Sequence, residues 1–208
     1  MNNMDGFQRR REKKKESIRR AALELFSAHG VQKVSIAEIA EKANVSQVTI
    51  YNHFGSKDEL LKDVLIQLAY KKYEEYNEIL ESNIPFPEKI EKMVFNKRET
   101  VKMFNEDFLN AYFSNDPEIQ AFTEDFYNNT TIPLIRKIIE QGKKEGYIHH
   151  DISSDAFWFY ITLFINRPEL YAKLDKTTMM DITTLFFYGL LGKPPIEKEH
   201  RHISWGHS

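Results

Sequence analysis

The sequence predicts an all-α fold, and three features of the 208-residue chain indicate it. Apolar residues recur at the spacing of a helix face, without the alternation that marks a strand. Ser or Asp stands repeatedly just before such segments, where its side chain would cap a helix. Gly (8) and Pro (7) are few and fall at the breaks between segments, so the chain is predicted to form long helices joined by short turns.

The composition is that of a soluble globular protein, with 41% hydrophobic and 29% charged residues. The absence of cysteine excludes disulfides and thiolate metal ligands and suits a cytoplasmic location. We expect no membrane partner, because no apolar run approaches the ~20 residues that cross a bilayer. Residues 1–57 carry 11 Lys/Arg against 6 Asp/Glu, whereas residues 58–208 carry 18 against 25. A basic module joined to an acidic one is typical of a nucleic-acid binder with a second function.

The N-terminal third of the chain is predicted to form three helices. The first spans residues 9–29. Its apolar face is formed by Ile18, Ala22, Leu25 and Phe26. Ser35, with Glu three residues later, begins a short second helix through a capping box. Asn44 lies in the turn that follows, since Asn accepts the left-handed conformation. Ser46 then caps a third helix over residues 47–54.

Two short helices joined by a tight turn form a helix-turn-helix. Ala37 and Ala40 are small where the two helices must approach each other. The start of the second one offers Ser46, Gln47 and Thr49, which are short polar side chains suited to base edges or phosphates. An ordinary helical hairpin, in which Ser46 is only a cap, is the alternative interpretation.

The segment over residues 35–61 closely resembles the DNA-binding signature of the TetR family of regulators. Its most diagnostic part is Thr-Ile-Tyr-Asn-His-Phe-Gly-Ser-Lys-Asp-Glu-Leu at 49–60. The resemblance implies a homodimer in which residues 1–57 form a basic arm and a DNA-binding domain. It also implies a larger helical domain over residues 58–208 that binds an effector and dimerises, with a flexible tail from about residue 193.

The resemblance also implies which side chains contact a double-stranded DNA operator. We expect them to be Ser35, Ser46, Gln47, Val48, Thr49, Tyr51, Asn52, His53 and Lys57. Tyr51 and His53 are expected to donate to phosphates, although packing roles are the alternative for both, and Lys57 is either a DNA contact or solvated. Val48 replaces a Gly that is frequent in the family, and it either touches a thymine methyl group or displaces the backbone.

A basic run precedes and enters the first helix, from Arg9 to Lys15, with Arg19 and Arg20 behind it. Such a run can follow the phosphate backbone or reach into the minor groove, with an affinity that falls steeply with salt. A solvated charged tail is the alternative.

The remainder of the chain is predicted to be a larger helical region. A second capping-box pattern at Ser56 starts a long helix over residues 57–81, and residues 83–87 break the chain. A later helix over residues 117–144 should be kinked or split by Pro133.

Aromatic residues are concentrated in this larger region, since 12 of the 15 Phe lie after residue 57. Most must form ordinary core, but the resemblance implies an apolar effector cavity among the middle helices. The candidate lining residues are Met93, Met103, Phe104, Phe108, Phe126 and Tyr127. The effector is expected to be a small hydrophobic or aromatic molecule.

The last two predicted helices, over about 153–166 and 178–191, are apolar on more than one face. Such helices must be buried on all sides, which a two-fold four-helix interface would achieve. The candidate interface residues are Phe157, Trp158, Ile161, Phe164, Ile182, Leu185 and Phe186. A dimer would also place two recognition helices ~34–36 Å apart, as successive major grooves require.

The sequence gives little reason to expect catalysis. It contains no Gly-rich phosphate loop and no nucleophile motif, and its His149-His150 pair lies in a loop. We therefore expect no cofactor, no metal and no catalytic residue. The predicted function is a ligand-responsive transcriptional regulator, expected to be a repressor. A regulator acting through a protein partner is one alternative, and a helical small-molecule carrier or enzyme that uses the aromatic cavity is the other.

Overall fold

The computed structural model describes residues 6–112, 116–148, 150–153 and the positions 156, 159, 174–175, 177–178, 180–182 and 184–185. All regular structure in these residues is helical, which confirms the predicted fold class. The elements are α1 (Gly6–His29), α2 (Ile36–Ala43), α3 (Gln47–Phe54), α4 (Lys57–Glu81), α5 (Phe86–Met103), α6 (Glu106–Tyr112), α7 (Pro117–Phe126), a π-helical turn (Tyr127–Thr131) and α8 (Ile132–Lys144). Within that part of the chain, no helix is long and apolar enough to span a bilayer.

The predicted caps and turns are present at the N-terminal end. Ser35 Oγ accepts from the N–H of Glu38, and the Glu38 carboxylate accepts from the N–H of Ser35 at 2.7 Å, which completes the capping box. Asn44 adopts the left-handed conformation, with φ 53° and ψ 50°. At Ser56 only the cap forms, because the Glu59 carboxylate accepts from Lys62 instead.

A first apolar core joins α1, α2, α3 and the start of α4. Five large apolar side chains of these four helices are fully buried: Ile18, Phe26, Ile39, Ile50 and Leu60. Each contributes about 1.5–3 kcal/mol by leaving water. Leu65 of α4 and Phe108 of α6 also belong to this core, so its packing continues past residue 57. Ala37 and Ala40 were both expected to lie where α2 and α3 approach each other. Ala40 is buried, but Ala37 is exposed.

The segment that leads into α6 is hydrogen-bonded to the last turn of α1. Asn105 donates from its backbone to the Ser27 carbonyl and from its side chain to the Phe26 carbonyl, both at 3.0 Å. Gly30 follows with φ +90°, and a Cβ there would lie 2.8 Å from Asp107 Oδ2. A side chain at position 30 would therefore be strained and would collide with α6.

A second core lies at the far end of α4. Leu80 packs there with α5 and α8, and the buried members are Leu80, Phe86, Ile90, Met93, Leu134, Ile138 and Ile148. Gly142 of α8 lets the helix approach closely, because a Cβ there would lie 2.7 Å from both Phe86 and Ile148. The first half of α4 thus belongs to one core and its last turn to the other.

The expected kink before Pro133 takes the form of a π-helical turn between α7 and α8. Pro133 has no N–H for the helical ladder and its ring disfavours a regular preceding turn. The wider turn resolves this conflict, and the N–H of Ile132 donates to the Tyr127 carbonyl, five residues back.

Candidate nucleic-acid interface

Helix α3 is anchored by one side and presents the other to solvent. Ile50 is completely buried, whereas Val48 is 65% exposed and Tyr51 is 49% exposed. Gln47 and Asn52 are also exposed. Because one apolar residue fixes the helix, its polar face can be offered to a partner without loss of core packing.

The start of α3 is held by its own hydroxyl groups. Ser46 Oγ accepts from the N–H of Thr49 at 3.1 Å and lies 2.9 Å from Thr49 Oγ1. The hydroxyl of Ser46 is therefore the helix cap, and it is exposed as well. The other N–H groups of this first turn, together with the helix dipole, favour an anion at this end.

Two further expected DNA contacts lie next to α3 in the fold, and a third lies in its last turn. Ser35 is exposed at the start of α2, but its hydroxyl is engaged with Glu38 at 2.6 Å. Lys57 is half-buried at the first position of α4. His53 is half-buried at the end of α3.

His53 is surrounded by positive charge. Burial lowers the pKa of His53, and the nearby Arg11, Lys15 and Lys14 lower it further. Its Nδ1 atom is buried and has no hydrogen-bond partner among the described residues. Both effects favour the neutral ring, in which one nitrogen still donates a hydrogen bond.

The basic run of α1 is exposed and approaches the end of α3. Lys15 Nζ lies 6.0 Å from the centre of the Phe54 ring, within the range of a cation–π contact. Arg19 is an exception in this run, because its guanidinium donates to Asp63 of α4 at 2.5 Å. The Asp63 hydrogen bond raises the pKa of Arg19, and this side chain ties α1 to α4 rather than extending towards a partner.

A cleft lies on the other side of the end of α3, between α4 and α7. We call it the α3–α7 cleft; its volume is about 300 Å³, and His53, Lys62 and Phe122 are among its lining residues. No sequence pattern predicts this cleft, since residues 53–66 and 118–123 meet only through the tertiary fold.

The six expected effector contacts do not surround one cavity. Phe104 and Phe108 pack on each other in the first core, with ring centres 4.9 Å apart, whereas Met93 belongs to the second core. Met103 is a correction of the prediction, because its side chain is 71% exposed. The helical period identified apolar faces but could not tell which core each face would join.

The remaining two expected contacts lie near each other. Phe126 packs edge-on against Tyr70 of α4, with ring centres 5.1 Å apart, and half-buried Tyr127 follows it in the π-helical turn. Phe122 also contacts both Tyr70 and Phe126. Aromatic side chains of α4 and α7 therefore do gather, and one of them, Phe122, also lines the α3–α7 cleft.

Most of the expected dimer contacts lie outside the described residues, namely Phe157, Trp158, Ile161, Phe164 and Phe186. Of the two that are described, Ile182 is half-buried and Leu185 is exposed in the single chain.

Comparison with known proteins points to one family. The family described as bacterial regulatory proteins, tetR family, matches residues 18–64. The HTH-type transcriptional regulator YhgD of Bacillus subtilis, itself uncharacterized, is 27% identical over 184 residues, covering 83% of this chain and 94% of that protein.

Two solved structures share the fold. One is a TetR/AcrR-family regulator from Thermobifida fusca, with a TM-score of 0.58 and 19% identity, covering 85% of this chain and 98% of that one. The other is FadR of Thermus thermophilus, a TetR-family repressor in complex with lauroyl-CoA, with a TM-score of 0.51 and 24% identity, covering 89% of this chain and 100% of that one. Residues 18–64 therefore carry the helix-turn-helix of the TetR family, and the chain is similar over most of its length to an HTH-type transcriptional regulator.

Proposed function

We propose that the chain is a repressor that binds a palindromic operator as a homodimer and is released by a small hydrophobic or aromatic effector. The observation that carries this proposal is the exposed face of α3, where Val48 and Tyr51 project from a helix whose only fully buried residue is Ile50. A large apolar side chain and a tyrosine exposed on a rigid short helix favour contact with a partner.

The proposed contacts divide by the chemistry of the side chains. Gln47 and Asn52 can read base edges, and Val48 can contact a thymine methyl group. Tyr51 and Lys57 can donate to phosphates, which position the domain without reading sequence. Ser35, Ser46, Thr49 and His53 complete the proposed interface.

The proposed arrangement keeps residues 1–57 as the DNA-binding domain and residues 58–208 as the domain that senses and dimerises. Leu185 and Phe159 are both exposed large apolar residues of the single chain. A two-fold interface formed by the C-terminal helices would cover such side chains and would set the spacing of the two copies of α3.

Effector release would work through α4, because this helix takes part in both cores. The Arg19–Asp63 ion pair ties its first half to α1. The Thermus thermophilus repressor that holds lauroyl-CoA supports sensing of a small molecule within the same fold. A coupling of ~1–3 kcal/mol between effector and DNA would be sufficient for a switch.

The first test is to identify the operator. Genomic fragments retained by the purified protein are sequenced, and the shared site is used as a labelled duplex in fluorescence anisotropy. We expect a palindrome, binding by two protein chains, and an affinity that falls steeply with salt. Absence of DNA binding at low salt, or a strictly monomeric protein in sedimentation, would contradict the proposal and favour the carrier or enzyme alternative.

The second test assigns binding to α3 with a matched pair of tyrosine variants. Tyr51→Ala is expected to weaken operator binding about tenfold, since a lost DNA contact costs ~1–3 kcal/mol. Tyr70→Ala is the control, because Tyr70 is 44% exposed but lies on α4. Equal affinities for Tyr51→Ala and the unchanged protein would place the DNA surface elsewhere.

A further inference from the structure

The α3–α7 cleft combines apolar walls with a charged rim. Its walls are formed by Phe54, Leu65, Ile66, Ile119 and Phe122, contributed by α3, α4 and α7. A volume of about 300 Å³ is at the small end for ligand sites, enough for one ring with a short arm. The walls therefore suit a compact apolar body.

The rim carries more acceptors than donors. Its charged lining residues are three carboxylates, Glu59, Asp63 and Glu118, and one cation, Lys62. Lys62 donates to Glu59 at 3.2 Å and to Glu118 at 2.5 Å, and it lies 3.7 Å from Asp116. The ammonium of Lys62 is thus surrounded by carboxylates and has little capacity to bind an anion.

Acceptor capacity remains on the two carboxylates that hold Lys62. Glu59 contacts it through Oε1 and Glu118 through Oε2, so one oxygen of each has no contact among the described residues. Both residues lie in the first turn of a helix, α4 and α7 respectively. These two oxygens are therefore acceptors with negative charge.

A further nitrogen acceptor is offered by His53, a half-buried residue at the α3 end of the cleft. His53 lines the cleft, and its Nδ1 is buried without a partner among the described residues. A buried polar atom without a hydrogen bond is costly and indicates a group that a ligand or water completes. In the neutral ring one nitrogen is an acceptor, so an uncharged O–H or N–H donor or a water can satisfy it, whereas the nearby Arg11, Lys14 and Lys15 disfavour a cation at this end of the cleft.

We propose that the α3–α7 cleft is a binding site for a small organic cation, with an ammonium or amidinium group on an aromatic ring or short apolar chain. The cationic N–H groups bind the open carboxylate oxygens of Glu59 and Glu118, and the apolar body packs on Ile66 and Phe122. None of the six expected effector residues lines this cleft, although Phe126 contacts its lining residue Phe122, and the proposed site does not depend on DNA binding by α3.

The binding test uses three probes with one ring and three charges. Benzylamine, benzyl alcohol and benzoate are titrated into the DNA-free protein at neutral pH, with ligand-observed NMR as the readout. We expect benzylamine to bind at least tenfold more tightly than benzoate, with benzyl alcohol between them. Equal affinities for the amine and the acid would overturn the proposal.

A matched pair of charge-removing variants locates the site. Glu118→Gln should weaken benzylamine binding severalfold and leave benzyl alcohol binding unchanged. Glu124→Gln is the control, because Glu124 is an exposed carboxylate on α7 that does not line the cleft. Equal effects of the two variants, or none from Glu118→Gln, would show that the amine binds elsewhere.

A cleft-filling variant gives an independent test of the walls. Ile66→Trp should abolish binding of all three probes, because the indole would occupy the cleft. Its fold is checked by circular dichroism, and Thr123→Leu, a smaller intrusion, is used if the tryptophan variant unfolds. Probe binding that survives a folded cleft-filling variant would overturn the proposal. Since no DNA is present, these results do not depend on whether the chain binds an operator.

Discussion

The two cores of the molecule differ in how they accommodate polar groups. The first core has an apolar centre at which Ile18, Phe26 and Ile50 are fully buried, and its helix starts are satisfied by local caps. The second core includes Lys89, which is 3% exposed and whose ammonium donates to the Leu80 carbonyl at 2.5 Å. The first core is therefore suited to holding an exposed helix rigidly, whereas the second depends on buried polar contacts.

Neighbouring residues of α4 extend this difference. Burial raises the pKa of Tyr76, and nearby Glu75 raises it further. The side-chain oxygen of Asn77 is buried without a hydrogen-bond partner among the described residues. His53 Nδ1 is a similar unsatisfied atom at the end of α3, so this feature is not confined to the second core. The first core is thus apolar at its centre, whereas the second packs beside buried polar groups.

The largest expected effect comes from removing a ring from the first core. Phe26→Ala should lower the free energy of unfolding by about 3–5 kcal/mol, because the cavity would lie at the centre of the core. Urea denaturation measures this. Phe95→Ala is the control, since Phe95 is exposed on α5, and its effect should stay within about 0.5 kcal/mol. Similar losses for both variants would show that the first core is not the rigid one.

A smaller effect is expected from adding one methyl group to the second core. Gly142→Ala should destabilise by about 1–3 kcal/mol, because its Cβ would lie 2.7 Å from the buried Phe86 ring. Replacing glycine by alanine inside a helix ordinarily stabilises a protein by roughly 0.5–1 kcal/mol. A loss of stability would therefore show that the collision outweighs this gain. Thermal unfolding measures it. A stabilised variant would show that Phe86 and Ile148 repack easily.

Removing the buried ammonium of the second core should have a comparable or lesser effect. Lys89→Met keeps the length of the side chain but leaves the Leu80 carbonyl without its donor, at a cost of about 1–2 kcal/mol. The matched control is Lys92→Met, one turn along α5, where the side chain is exposed. If the two variants unfold at the same urea concentration, the Lys89 contact does not stabilise this end of the molecule.

The smallest expected effect is a pH dependence at the first core. Burial and the nearby Arg11, Lys15 and Lys14 lower the pKa of His53 in the folded chain, so folding disfavours its protonation. The contribution of neutral His53 to the free energy of unfolding is therefore complete above the unfolded pKa of about 6.5. That contribution is lost as the pH falls through the lowered pKa of the folded state. Thermal unfolding from about pH 8 to about pH 5 should therefore show a decline that His53→Gln reduces. An identical decline in the variant would assign it to other groups.

The sequence predicted the first core well because its signals are local. Ser35, Ser46 and Asp116 cap helices through atoms within three residues of themselves. Asn44 takes the left-handed conformation that its side chain tolerates. Since these features depend on neighbouring residues only, a single sequence is enough to locate them.

The sequence did not predict how distant segments meet. The helical spacing of apolar residues predicted that Met93 and Phe108 would be buried, yet the two belong to different cores. Periodicity identifies the apolar face of a helix but not the helix against which that face packs. Lys62 and Glu118 are 56 positions apart and each looks like an ordinary surface charge, so the α3–α7 cleft had no signature. The DNA contacts themselves stay a prediction, since they rest on the family resemblance and on exposure.

The π-helical turn changes the direction in which the apolar face of α8 points relative to that of α7. An α-helix advances by about 100° per residue, so an unbroken helix would turn Leu134 and Ile138 by roughly 80–120° from the direction of Phe126. The hydrogen bond from the Ile132 N–H to the Tyr127 carbonyl closes a turn with one additional residue. This residue offsets the rotation of α8 by about 100°. Consequently, α7 can face α4 while α8 faces the second core on the same side. Deleting one residue from 128–130 would rotate Leu134 and Ile138 out of the core, so this segment has a fixed length although its sequence is polar.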